Sequence, residues 1–84
     1  MQKSLRTPRQ QLLISLLVEA RRARGMTQAE VALALGKPQS FVAKYENGER
    51  RIDVIEFMDI VAALDISPAA ILARIEAARD SATD

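Results

Sequence analysis

Gln39, Ser40, Lys44 and Asn47 are the residues whose types and spacing could do chemistry. They lie off the apolar face that Phe41, Val42 and Tyr45 give to a short helical pattern. Amides, a hydroxyl and an ammonium on one side of a helix suit base edges and phosphates. An ordinary helical hairpin in a small bundle would also show a polar face. That face more often carries Glu/Lys pairs.

The polar face must be held by what surrounds it, which is the stretch 28–47, QAEVALALGKPQSFVAKYEN. Its first half places Val31, Ala32 and Leu35 on one side, and Gly36-Lys37-Pro38 joins it to the second half. Both patterns are too short to persist alone in water, so each needs the other and flanking helices. Gly36 supplies the left-handed residue that closes the first helix, and Ala32 is small enough for another helix to cross closely. Two short helices, a tight glycine turn and a small residue at the crossing make a helix-turn-helix.

With 84 residues the chain makes one domain with a thin core. It has no Cys and no His, which removes disulfides, thiolate metal sites, and the commonest general base and metal ligand. Its carboxylates are scattered along solvated helix faces, with no arranged acid–base pair. Neither an enzyme nor a metal or cofactor protein is expected. No apolar run approaches the roughly 20 residues of a membrane span and no signal peptide is visible, so no membrane association and a cytoplasmic protein are expected.

Net charge is only +1, but it is polarised. Residues 1–51 carry ten Lys/Arg and four Asp/Glu, 10 − 4 = +6, and residues 52–84 carry two and seven, 2 − 7 = −5. A basic half that contains the helix-turn-helix suits a protein presenting one face to a polyanion.

Along the chain, residues 1–7 read as a flexible basic arm, 8–77 as the folded domain and 78–84 as a frayed polar tail. Thr7-Pro8 opens helix 1, which runs to about Arg24 and buries Leu13, Leu16, Leu17 and Ala20. Arg21, Arg22 and Arg24 crowd its last turn, where cations suit the helix dipole, with phosphate contact as a further option. Thr27-Gln28-Ala29-Glu30 is a capping box for helix 2, which runs to Leu35. Helix 3 spans about Gln39 to Asn47, closed by Gly48. Asp53 with Glu56 caps helix 4, expected to bury Val54, Phe57, Ile60, Val61 and Leu64. Ser67-Pro68 opens helix 5, with Ile71, Leu72 and Ile75 as its apolar residues. The expected fold class is all-α, a compact five-helix bundle without a sheet.

From about residue 9 to 75 the chain resembles the lambda-repressor-like, or XRE/Cro-type, helix-turn-helix DNA-binding domain. The residues that carry the resemblance are MTQAEVA at 26–32 leading to Gly36, then QSFVAKYENG at 39–48, a basic pair and a capped helix 4. The resemblance implies that helix 3 enters the major groove of double-stranded DNA, with Gln39, Ser40 and Lys44 at the base-reading positions. It implies phosphate contacts from Gln28 at the helix 2 N-terminus, Lys37, Asn47, Arg50 and Arg51. The residue chemistry agrees, since Gln pairs bidentately with adenine, Lys suits guanine acceptors and Arg forks suit phosphate.

Three positions depart from the family pattern. Pro38 stands at the helix 3 N-cap, where Ser or Thr is more frequent, so one cap hydrogen bond is lost. Phe41 replaces a small or polar residue and is expected to pack, with a thymine methyl as the other option. Ile52 stands where Pro is frequent, freeing the loop and placing an apolar side chain where family dimers often meet. The resemblance also implies a homodimer, with Ile52, Ile55, Met58, Ile71 and Ile75 as candidate interface residues. The leading expectation is a sequence-specific transcriptional regulator, a repressor binding a palindromic operator as a dimer. The alternative is an antitoxin or protein-interaction module that sequesters a protein partner, such as a toxin, and also regulates its own gene.

Overall fold

The structure is a computed structural model that describes residues 7–81. Most of the arm expected at the N-terminus and the last three residues of the tail lie outside the described residues. The elements are α1 (Pro8–Ala23), α2 (Gln28–Leu35), α3 (Gln39–Glu46), α4 (Val54–Leu64) and α5 (Pro68–Ser81), with no strand among the described residues.

Local chemistry sets the helix starts. Thr7 Oγ1 accepts from the Gln10 amide at 3.1 Å, and Pro8 follows at the first helical position. Thr27 and Asp53 both make complete capping boxes, with Glu30 and Glu56 returning carboxylate bonds to the cap amides. Ser67 Oγ accepts from the Ala70 amide at the start of α5. Pro38 caps α3 with no side-chain hydrogen bond. Helix ends are equally local. Gly36 takes φ +68°, and the Lys37 amide donates back to the Ala32 carbonyl at 3.0 Å, which turns the chain sharply from α2 into α3. Arg24 and Asn47 are C-caps, so α1 and α3 each end one residue before the expected boundary. α5 continues to Ser81, beyond the expected end of the domain at 77.

The core is built from Leu16 and Leu17 of α1, Val31 and Ala32 of α2, Phe41, Val42 and Tyr45 of α3, four residues of α4 and Ile71 of α5. Leu17, Val31, Val42, Ile60 and Leu64 are fully enclosed. α2 packs against α3 and α4, and α1 spans α3, α4 and α5. Ala32, 2% exposed, is the small residue at this junction. Leu13 and Ala20, expected in the core, are half-buried at its edge.

One expectation is corrected, at Val54, and one apolar residue of α5 lies outward. Val54 is 74% exposed, although the apolar pattern put it inward, and Leu72, an apolar residue of α5, is 53% exposed. Val54 is the first residue of α4, directly after the cap, where the helix has yet to reach the core. Leu72 follows Ile71, and of the two neighbours only Ile71 is in the core, on the α5 side that packs on α1.

Candidate nucleic-acid interface

α3 carries the site, and its two sides are unlike. Phe41, Val42 and Tyr45 anchor it in the core, with the Phe41 and Tyr45 rings edge-to-face at 5.6 Å. Gln39, Ser40 and Lys44 are exposed. At about 100° per residue they spread over roughly 140° of the helix, opposite the buried triplet. Ala43 lies between them and is half-buried, so the helix surface is low at its middle. Of the remaining candidates, Lys37, Asn47 and Arg51 are exposed around the ends of α3, and Gln28 is half-buried at the first position of α2.

Phe41 is a packing residue, 8% exposed. Lys37 Nζ lies 5.3 Å and Arg50 Cζ 4.7 Å from its ring centroid, so two cations flank one ring. Arg50 is further committed. Its Nη1 donates to Glu56 Oε1 at 2.9 Å and to the Arg51 carbonyl at 2.8 Å, and its Nη2 donates to Glu56 Oε2 at 2.8 Å. This bidentate pair joins the loop after α3 to the first turn of α4. The Arg50 hydrogen bonds, then the Asp53 amide, hold the Glu56 carboxyl down at about 2.

A second ion pair went unread in the sequence. Arg21 donates from Nε to Glu46 Oε2 at 2.8 Å and from Nη2 to Oε1 at 3.1 Å, and its Nη1 reaches the Met26 carbonyl at 2.9 Å. The side chains are 12% and 6% exposed, so this pair is part-buried, and it clamps the end of α1 to the end of α3. Its hydrogen bonds to Glu46 raise the Arg21 pKa further. Gln28 Nε2 donates to the same Glu46 Oε1 at 2.9 Å, and Gln39 Nε2 donates to Gln28 Oε1 at 3.5 Å. The cluster of arginines ending α1 gave no sign of this, because the partner lies 25 residues away. Arg24, by contrast, makes an exposed pair with Asp65 at 3.2 Å.

The interface candidates divide. Ile55 is 69% and Met58 46% exposed on α4, while Ile52 and Ile75 are half-buried beside them. A mostly apolar groove lined by Leu13, Ile52, Asp53, Val54, Phe57, Met58, Leu72 and Ile75 runs through this face. Ile71 does not belong to it. At 8% exposed it is part of the core, against the expectation that it meets a second copy. Among the described residues no group of three His, Cys, Asp or Glu is placed to hold a metal, and no helix is long and apolar enough to cross a membrane.

Five helices, a glycine-turned α2–α3 pair and a polar outer face on α3 define a helix-turn-helix protein. Residues 17–71 match the helix-turn-helix family model, and the chain belongs to the XRE-type helix-turn-helix family of DNA-binding transcription regulators. It is 56% identical to an XRE-family like protein from Pseudomonas syringae pv. tomato str. DC3000, over 82% of this chain and 84% of that one, with a TM-score of 0.79. It is 29% identical to the restriction-modification controller protein C.AhdI from Aeromonas hydrophila, over 74% and 94% of the chains, with a TM-score of 0.68. The clp gene regulator ClgR from C. glutamicum shares the fold at 21% identity, with 83% and 91% coverage and a TM-score of 0.73. No curated protein sequence matches the chain.

Proposed function

We propose that this protein is a sequence-specific transcriptional repressor that binds a palindromic DNA operator as a two-fold dimer, with α3 of each protomer in the major groove. The observation that carries this reading is the exposure of Gln39, Ser40 and Lys44 together on a helix whose opposite face is locked into the core. A rigid support for exposed amide, hydroxyl and ammonium groups is what direct readout of base edges requires. Lys37, Asn47 and Arg51 flank the helix as phosphate contacts, and Gln28 adds the amides of the α2 N-terminus. Arg50 is left out of this set, because Glu56 already occupies both ends of its guanidinium fork. The dimer surface is the exposed Ile55 and Met58 of α4, with Ile52 and Ile75 at its edge. Two half-sites about one helical turn (~34 Å) apart would then be read together. Such a protein works in the cytoplasm, on DNA.

The test is DNA binding of the wild type beside Gln39→Ala/Lys44→Ala, over a salt series, on fragments upstream of its own gene. The expected result is selection of one fragment with affinity falling steeply in salt, and loss of that selection in the double variant with weak non-specific binding retained. If neither protein prefers any fragment, the repressor reading fails and a protein partner such as a toxin becomes the better one.

A further inference from the structure

We propose that Arg50 is a positioning residue for DNA selectivity: with Phe41 and Glu56 it fixes the loop after α3 relative to that helix, without itself touching DNA. The proposal rests on α3 reading bases and on Asn47 and Arg51 meeting phosphate, and adds what keeps those contacts in register. The loop runs from Asn47, the C-cap of α3, to Asp53, the N-cap of α4. Short-range bonds fasten its ends. The Glu49 amide donates to the Lys44 carbonyl at 2.9 Å, and Asp53 and Glu56 exchange amide-to-carboxylate bonds at 3.0 and 2.7 Å. The middle of the loop is tied by the Arg50 side chain. Its guanidinium lies 4.7 Å from the centroid of Phe41, an α3 ring only 8% exposed. Its Nη1 and Nη2 grip the two Glu56 oxygens at 2.9 and 2.8 Å, in the first turn of α4. Nη1 also donates to the Arg51 carbonyl at 2.8 Å, so the backbone of the neighbouring phosphate contact is held directly.

Lys37, in the turn before α3, reaches within 5.3 Å of the same ring, so the segments at both ends of the helix meet on Phe41. Paired with Glu56, Arg50 adds no net charge toward phosphate, and a direct phosphate contact would need it to leave both Glu56 oxygens. Its effect on DNA is therefore geometric. Phosphate contacts set the docking register and base contacts read sequence. When the loop is fixed to α3, the helix cannot shift to accommodate a wrong base while the phosphate contacts hold. A loose loop permits that shift, and the specific complex must also order the loop on binding. Non-specific complexes rest on phosphate attraction and need no fixed register.

The experiment uses the site that the wild type selects from a randomised double-stranded DNA library, beside a scrambled duplex of the same length. Affinities for both are measured over a salt series for the wild type, Arg50→Gln and Glu56→Gln. Glu56→Gln keeps an acceptor for the Asp53 amide but turns an NH2 toward Arg50 Nη2, which breaks the fork. These variants change net charge in opposite directions, yet each should lower the selected-to-scrambled ratio roughly three- to tenfold, the cost of ordering loop side chains on binding. Combining them should lower it no further than the larger single effect. Partial unfolding weakens both duplexes alike and leaves the ratio unchanged. The proposal is overturned if either variant keeps the wild-type ratio. A direct phosphate contact from Arg50 would give that result: Arg50→Gln would weaken both duplexes equally, with the salt slope shallower by about 1. Base reading by α3 then stands, because the wild type still selects a site. If the wild type selects no site, base reading fails and the proposal with it.

Discussion

Arg21→Met removes one half of the part-buried pair that joins α1 to α3, and its cost can be worked from the geometry. Three hydrogen bonds go, two to Glu46 and one to the Met26 carbonyl. Glu46, 6% exposed, keeps only the Gln28 amide. Breaking a buried pair on one side costs about 3–5 kcal/mol, chiefly because the remaining charge is stranded, and this part-buried pair should cost about 3 kcal/mol, the low end. A domain of 84 residues has roughly 4–13 kcal/mol in total, at about 0.05–0.15 per residue. The variant therefore loses about a quarter of its stability or more. With a urea slope near 1 kcal/mol/M, its midpoint should fall by about 3 M in unfolding followed by circular dichroism. The double variant Arg21→Met/Glu46→Leu should be more stable than Arg21→Met, since no charge is left behind. A loss below about 1 kcal/mol, the range of exposed pairs, would refute the burial of this pair. A double variant no better than the single would show that lost packing, and not the stranded carboxylate, sets the cost.

Three further outcomes are expected. Glu56 is held at about 2 against an ordinary 4.5, so its contribution to stability is complete above pH 4.5 and is lost as pH falls toward 2. Thermal melts across that window should show a shallower acid decline in Glu56→Gln than in the wild type. Burial pushes the Tyr45 phenol up to about 12 from 10, so its contribution is complete below pH 10 and is lost between 10 and 12. It is the only tyrosine, and its ultraviolet titration should lag a free phenol and end together with loss of helix. Ile55→Lys should keep the helix content and sediment as a monomer in analytical ultracentrifugation; a persistent dimer would exclude that face of α4.

Legibility of the sequence followed distance along the chain. The caps at Thr7, Thr27 and Asp53 and the Gly36 turn rest on bonds spanning three to five residues, and all were readable before any coordinates. So was the division of α3 into an apolar and a polar side, because helical periodicity alone separates Phe41, Val42 and Tyr45 from Gln39, Ser40 and Lys44. Periodicity fails where a helix is only partly covered. Val54 and Leu72 fit an apolar pattern yet are exposed, and Ile71 was set among interface candidates yet is buried.

What the sequence determined by itself is therefore five helices, their capped starts, and a helix-turn-helix with a polar outer face. The structure alone decided how those helices are fastened and which polar groups are engaged within the fold. Arg21 finds Glu46 across 25 residues, and Arg50 is taken by Glu56 and Phe41. The Glu46–Gln28–Gln39 chain exists only because α2 and α3 cross beside the end of α1. The physical reason is that capping and periodicity act within one or two helical turns. Side-chain pairing between helices depends on their relative placement, which the packing of the whole core sets at once.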